Sequence, residues 1–353
     1  MKKIVSLTLA LILALCALAV PTMAEEPTIT IGMLTLLNRT EEGLSAKSDA
    51  FSVLMSGSAD EEGATDQVES EPQPAIKSVV KFYDTMDAML MALNAGEIQA
   101  LNIYYTTARY LVSTNDNLIM VGQPGIGAGS AIQRFVDSLY ICDFSFLLKE
   151  DRADLRDELN GVIAEMKADG TLDQLVQTQI EGAIQGEDIA PIEIPKIEGA
   201  ETIRVAVTGS LPPMDYVAAD GTPAGFSTAV MAEISRRIGR NVEFVVVDSV
   251  GRATALSSGV VDAVFWTETI EEWQRFAAMS PEERKEYFQS LDATDAEEEA
   301  IVAFEESLDF DAISNEDKPA GTITSDPYFS DSFSTVMDKE TVQATYPEFP
   351  EAF

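Results

Sequence analysis

Histidine is absent from the 353 residues of this chain, and basic residues are scarce. The lack of histidine excludes a Ser-His-Asp hydrolase and every metal site that depends on an imidazole ligand. Lysine and arginine number 23 against 60 acidic residues, which gives a net charge of −37. Phosphate backbones and anionic lipid headgroups repel a chain this acidic, so we expect no nucleic acid partner. We also predict no catalytic residue, no metal and no cofactor.

Cysteine is almost absent as well, and its two positions differ in context. Cys16 lies in an apolar run that follows two lysines and ends with small residues at Ala24. This order is typical of a secretory signal peptide, so residues 1–24 are predicted to be removed on export to the periplasm or cell surface. A membrane anchor and a lipid anchor on Cys16 are the alternatives. Cys142 would then be the only cysteine, which excludes an intramolecular disulfide.

Two segments of the remaining chain repeat the order strand, helix, strand. They span residues 27–185 and 201–353, and each has the length of an ordinary domain. Ala92–Ala100 in the first segment parallels Ala255–Ala263 in the second, with alanine, leucine and glycine in register. The pattern predicts an α/β fold of two tandem lobes, each with a mainly parallel sheet flanked by helices.

Three other segments interrupt this α/β pattern. Residues 46–73 are rich in acidic residues, serine and glycine, which predicts a loop. Residues 186–200 contain two prolines and are predicted to be an extended linker. Residues 270–322 are acidic and helical, and Ser280 with Pro281 marks a helix start. We expect this insert to be a helical hairpin that covers the sheet, with a partner-docking arm as the alternative.

The stretch from Thr202 to Thr269 carries the most specific pattern. Its landmarks, in chain order, are Ile203–Val207, Pro212-Pro213, Asp220-Gly221, Ala224–Phe226 and Ala255–Ala263. In order and spacing they resemble the first lobe of the family 3 extracytoplasmic solute-binding proteins, the amino-acid-binding components of ABC importers. Lys167–Leu172 resembles the closing segment of the same family.

The resemblance implies a clamshell that closes on a small polar solute, with an amino acid as the expected ligand. An ABC permease is the further partner it implies, and contact with the membrane would occur only through that permease. Because each repeat holds a single lobe here, we hypothesise that the two lobes face each other across one composite cleft. The alternative is an extracytoplasmic protein-interaction or sensory module with a degenerate cleft.

The predicted ligand site lies at the carboxyl ends of the parallel strands. The predicted ligand-binding residues are Thr208, Ser210, Met214, Asp248, Trp266, Thr267, Thr269 and Arg275. The threonine hydroxyls can donate to a carboxylate, and the indole can form a wall of the site. In the first repeat, Ile103–Thr106 occupies the equivalent strand end, with Arg109 nearby.

Three positions depart from the pattern of the family. Met214 stands where an aromatic residue is usual, and Ser227 stands where an acid is usual. The arginine that clamps the ligand carboxylate is expected at Gln274, with Arg275 one place further along. The guanidinium group matters because it matches a carboxylate with two parallel hydrogen bonds.

Overall fold

The computed structural model describes most of the chain after the predicted signal peptide. The described residues are 28–35, 40–45, 48, 77–121, 131–138, 141–269, 279–307 and 319–345. The signal peptide predicted at 1–24 and nearly all of the loop predicted at 46–73 lie outside these residues, as does part of the insert at 270–322. Among the residues that the structure describes, no helix has the length and apolar character needed to cross a lipid bilayer.

Strands and helices alternate along the described chain. The strands are β1 (Thr28–Leu34), β2 (Lys77–Tyr83), β3 (Ala100–Tyr104), β4 (Leu118–Val121), β5 (Ile141–Lys149), β6 (Thr202–Val207), β7 (Ser210–Leu211), β8 (Asp215–Val217), β9 (Pro223–Ala224), β10 (Asn241–Val246), β11 (Ala263–Thr269), β12 (Thr322–Thr324) and β13 (Phe329–Asp338). The helices are α1 (Met86–Asn94), α2 (Tyr105–Thr114), α3 (Ala131–Ser138), α4 (Ala153–Ala168), α5 (Thr171–Leu175), α6 (Gly182–Ile184), α7 (Phe226–Ile238), α8 (Gly251–Ser257), α9 (Pro281–Ser290), α10 (Asp295–Ser307) and α11 (Lys339–Thr345). A π-helical turn (Val176–Glu181) joins α5 to α6.

The first lobe consists of the described residues between 28 and 121 together with residues 333–345. Strand β1 pairs in parallel with β2 and β3, as predicted. The end of β13 completes this part of the sheet by pairing antiparallel with β3 and β4. The core of the lobe is formed mainly by buried side chains of α1, β3 and α2, namely Met86, Met89, Leu93, Leu101, Ile103, Ala108 and Leu111.

The second lobe consists of the described residues between 141 and 332. Strand β6 pairs in parallel with β10 and β11, again as predicted. Strand β5 lies beside β11 and runs antiparallel to it, and the short β12 pairs with β5. Helices α4 and α7 bury their apolar stripes in the larger core cluster, because apolar residues recur every three or four positions in both.

Two strands cross between the lobes. Strand β5 belongs to the first repeat in sequence, yet it pairs with β11 of the second. Strand β13 belongs to the second repeat, yet four of its residues, Phe333–Val336, pair with β3 of the first. The preceding residues Phe329–Ser332 pair with β5 and join the two halves of the sheet. The α/β fold is confirmed, and the sheet is mixed because these crossing strands run antiparallel to their neighbours.

The crossing strands bear on the predicted domain boundaries. Each repeat supplies a strand to the other lobe. Strands that precede residues 186–200, the predicted linker, therefore pair with strands that follow these residues. That segment has no regular secondary structure, and Asn241 fixes it by donating from its side-chain amide to the carbonyl of Ile197. The division of the chain into domains at 27–185 and 201–353 stays a prediction.

The described part of the acidic insert is helical, as expected. Helix α9 begins at a capping box in which Ser280 and Glu283 bond each other's backbone N–H groups. Its Phe288 is buried and packs against Phe135 of α3, with ring centroids 6.4 Å apart. Glu297 of α10 accepts a hydrogen bond from the backbone N–H of Ala131. The insert therefore packs on α3.

Candidate functional site

A cleft of about 50 Å³ lies between the two lobes, where the carboxyl ends of strands from both lobes meet. The first lobe contributes Leu34, Thr35, Asp84 and Tyr104. The polar residues contributed by the second lobe include Thr208, Ser210, Asp215, Ser249, Arg252 and Thr267. Residues of both lobes therefore line this cleft.

The sequence-predicted site residues differ in their relation to this cleft. Thr208, Ser210, Met214 and Thr267 line it. Asp248 is outside the lining. Its Oδ1 accepts a hydrogen bond of 2.6 Å from the backbone N–H of Gly251. That contact fixes the turn that leads into α8, as acidic and amide side chains often do before a helix.

Three further predicted residues lie elsewhere. Trp266 packs among buried apolar residues on the opposite side of β11, because successive residues of a strand point to opposite faces. Its neighbours Phe265 and Thr267 face the cleft instead. Thr269 pairs with Cys142 at the end of β11 and is outside the lining. Arg275 lies outside the described residues.

Arg252 is the cleft residue that the sequence interpretation missed. It is in the first turn of α8, and its Nη1 donates a hydrogen bond of 2.9 Å to the carbonyl oxygen of Phe265. The ring of Trp266 supports the guanidinium from the other side, at 5.8 Å from its centroid. Among the residues that the structure describes, no atom accepts a hydrogen bond from Nη2. This amino group is therefore free to bind a ligand in the cleft.

The environment of Arg252 is one of low polarity. Burial lowers the pKa of its guanidinium, while the nearby charge of Asp215 acts in the opposite direction. Arginine stays protonated even so, because a guanidinium group does not lose its proton in proteins. A half-buried positive charge whose donors are only partly used attracts an anion, since water screens it less than it screens an exposed charge.

Asp215 is the acidic group on the floor of the cleft. It is buried, and its two carboxylate oxygens accept hydrogen bonds from the backbone N–H and the hydroxyl of Thr208, at 3.0 and 2.7 Å. Burial raises the pKa of Asp215 to about 6, although the bonds from Thr208 and the charge of Arg252 lower it. Asp215 therefore fixes the turn after β6 and titrates close to neutral pH.

The raised pKa predicts how Asp215 affects stability. A carboxyl with a higher pKa in the folded chain binds more protons when the chain is folded. Its stabilising contribution is therefore complete below pH 3.8, the ordinary pKa of the group, and is lost as the pH rises through about 6. Relative to Asp215→Asn, we expect the free energy of unfolding of the wild type to fall by up to about 3 kcal/mol between pH 4 and pH 7. Urea denaturation across this pH range measures it.

Asp220→Asn is the matched control for this measurement. Hydrogen bonds from Thr222 lower the pKa of Asp220. The contribution of Asp220 to the free energy of unfolding is therefore lost as the pH falls, which is the opposite pH dependence to that of Asp215. If Asp215→Asn and the wild type show the same pH dependence, the carboxyl does not titrate in this range.

Direct contacts hold the lobes together around the cleft. At its mouth, the hydroxyl of Ser249 donates to the carbonyl oxygen of Asp84 at 3.2 Å. On one side, Arg109 of α2 forms two hydrogen bonds of 2.7 Å with both carboxylate oxygens of Glu181. A paired arginine–carboxylate contact of this kind has a defined geometry. These contacts tie the two lobes together on both sides of the cleft.

Aromatic residues form the apolar wall of the cleft. Tyr104 packs edge-on against Phe144 of β5, with centroids 5.0 Å apart, and lies 5.1 Å from Phe333 of β13. Burial raises the pKa of the Tyr104 hydroxyl. Tyr104 thus links the first lobe to both crossing strands. The described residues contain no cluster of acidic or cysteine side chains suited to a metal ion.

The sequence of residues 203–308 matches the model of a family described as bacterial extracellular solute-binding proteins, family 3. This segment is therefore similar to the family 3 solute-binding proteins. The match begins in β6 and extends past α10, so it includes the second-lobe strand ends at the cleft. The description of the family as extracellular and solute-binding agrees with the resemblance found in the sequence.

Solved structures of solute-binding proteins are remotely similar over most of this chain. One is the ligand-binding component of an ABC-type import system from Staphylococcus aureus with zinc bound, at 9% identity over 91% of this chain and 71% of that chain, with a TM-score of 0.37. Another is an ancestral arginine-binding protein bound to arginine, at 13% identity over 92% and 93%, with a TM-score of 0.35. A third is the substrate binding protein of an amino acid ABC transporter, at 11% identity over 92% and 94%, with a TM-score of 0.32. No residue role follows from similarity this remote. None of the curated proteins compared with this chain matches its sequence.

Proposed function

We propose that this protein is an exported solute-binding protein that captures an amino acid or a similar small polar solute in its cleft and presents it to an ABC permease. The observation that carries the proposal is the half-buried guanidinium of Arg252 in a cleft that both lobes line, because its Nη2 meets no acceptor among the described residues. The family 3 segment supports the class of function.

The chemistry of the cleft favours a solute that bears a carboxylate. Arg252 can donate charge-assisted hydrogen bonds to it, and these are stronger than bonds between neutral groups. The hydroxyls of Ser210 and Thr267 also line the cleft and offer further donors. Arg252 would thus replace the carboxylate-clamping arginine that the family pattern places near Gln274.

Export and delivery to a permease rest on different observations. The amino-terminal run of apolar residues after two lysines has the order of a signal peptide, and the matching family is described as extracellular. The permease is the partner that a solute-binding protein of an importer requires. The proposal therefore includes a contact between this protein and the permease.

The test is a thermal-shift screen of the purified protein with the common amino acids, short carboxylic acids and amines, followed by calorimetry. A carboxylate-bearing solute is expected to raise the melting temperature, because binding to the folded state at 100 times Kd stabilises it by about 2.7 kcal/mol. The control is the amide of the best ligand, which lacks the carboxylate and should give almost no shift. If no small solute shifts the transition, the proposal fails, and a protein-interaction or sensory module with a degenerate cleft is favoured.

A further inference from the structure

The cleft is small for a ligand site. Its volume of about 50 Å³ corresponds to about four water-sized groups, since one such group needs roughly 10–15 Å³. Glycine and alanine approach this size, whereas the side chains of arginine, glutamate or leucine exceed it. In this arrangement of the lobes, the size of the site therefore limits the length of the ligand side chain.

The walls have little freedom to move back from a larger ligand. Phe265 is buried and lies between Phe146 and Phe244, with ring centroids 5.6 and 6.2 Å away. Phe144 is fixed by its packing against Tyr104 at 5.0 Å and Phe329 at 5.8 Å. Protein interiors are close-packed, so displacing such rings disturbs the core behind them.

Met214 is the wall residue whose side chain can be shortened without removing a ring. It is fully buried and lines the cleft. Its backbone is held in place by Gly225, where a Cβ would overlap the Met214 carbonyl oxygen and where φ is +101°. Met214 therefore contributes an unbranched side chain on a fixed backbone to the wall of the cleft.

Asp84 supplies the group that an ammonium ion requires. It lies at the mouth of the cleft in the first lobe, and its Oδ1 accepts a hydrogen bond from the hydroxyl of Thr35 at 2.8 Å. Among the described residues, no atom donates to its Oδ2. Asp215 is less suited to bind an ammonium ion, because both of its oxygens already accept hydrogen bonds from Thr208.

We infer that the cleft takes a short α-amino acid of the glycine and alanine class, with Arg252 on the carboxylate, Asp84 on the ammonium group and Met214 as the limit on side-chain size. The inference rests on the proposed function and narrows it to one ligand class. It assigns specificity to Met214 at the position where the family pattern has an aromatic residue.

The size limit is tested by calorimetry with glycine, alanine, leucine and arginine on the wild type, Met214→Ala and Met231→Ala. The wild type is expected to bind glycine or alanine at least about tenfold more tightly than leucine, because a pocket discriminates by about this factor for each methylene group that does not fit. Met214→Ala removes Cγ, Sδ and Cε from the wall, so it should gain about tenfold in affinity for leucine relative to glycine. Met231 is fully buried in α7 outside the lining, so Met231→Ala should leave this ratio unchanged.

The outcomes separate this inference from the proposed function. Leucine or arginine binding to the wild type as tightly as glycine overturns the size limit but leaves a solute-binding protein. An unchanged leucine-to-glycine ratio in Met214→Ala overturns the role of Met214, and Met214→Val repeats the test if the alanine variant does not fold. Binding of no amino acid at all overturns both proposals.

The ammonium contact is tested with glycine against acetate on the wild type, Asp84→Asn and Asp87→Asn. The wild type should prefer glycine, and Asp84→Asn should reduce that preference several-fold. Asp87 is an exposed acid in the first turn of α1 and serves as the control for loss of one negative charge. An equal preference in Asp84→Asn and the wild type overturns the contact.

Discussion

Arg252→Met is expected to reduce the affinity of the protein for its carboxylate-bearing solute by about 100-fold or more. Removing one partner of a buried charged contact typically costs about 2–5 kcal/mol, and about 2.7 kcal/mol corresponds to 100-fold. Methionine is unbranched and apolar, so it fills much of the same space beside Trp266 without a cavity. Isothermal titration calorimetry measures the loss, and the thermal transition without ligand confirms that the variant is folded.

Two further arginine variants make the test of Arg252 specific. Arg252→Lys keeps the charge but loses the planar pair of donors, so an intermediate loss of affinity is expected. Arg236→Met removes a half-exposed arginine from α7 of the same lobe, outside the cleft lining, and should leave the affinity unchanged. If Arg252→Met binds as tightly as the wild type, the carboxylate is held elsewhere and the proposed site is wrong.

The failure of the sequence to indicate Arg252 has a physical explanation. Ala253–Leu256 mark the helix after β10 in the sequence, whereas α8 begins at Gly251, so the sequence alone does not place Arg252 in a first helical turn. A shift of two residues is common for helix ends inferred from sequence. The usable signal was a lone arginine just after a strand end, at the position where α/β folds bind ligands.

Trp266 shows a different limit of sequence interpretation. The strand itself was predicted, but residues 264–266 are all apolar, so alternation could not tell which face each residue occupies. A change of one residue in register moves a side chain to the other face of the sheet. Trp266 therefore became the support of the guanidinium rather than a wall of the cleft. Thr267, one residue further along, lines the cleft as predicted.

Local pattern predicted most elements of the second lobe but not the partners of the crossing strands. Helix α7 repeats apolar residues every four positions and ends at Gly239 in the left-handed conformation, which sequence alone indicates. The apolar residues of β5 likewise indicate a buried strand. Its pairing with β11 joins residues about 120 positions apart in the chain, and no local signal encodes such a contact.

The crossing strands lead to the prediction with the largest effect on stability. A fragment of residues 201–345, cut at the predicted domain boundary, is expected to lose cooperative unfolding. It lacks β5 and α4, whose fully buried side chains include Phe146, Leu148, Leu155, Leu159 and Ile163. Each such side chain stabilises a fold by about 1.5–3 kcal/mol, so together they equal the whole stability of a typical domain, about 5–15 kcal/mol.

The matched fragment contains residues 141–332 and keeps β5 beside β11 with α4 against α7. Because it retains the second lobe with its own core, we expect it to melt in a cooperative transition by circular dichroism and calorimetry, whereas 201–345 should show none. The opposite result would mean that β5 is dispensable to the second lobe and that the tandem boundaries define independent domains. The expected difference between the fragments comes from the pairing of β11 with β5 and not from the lengths of the fragments. Without β5, the edge of β11 is unpaired and Phe265 is exposed to water.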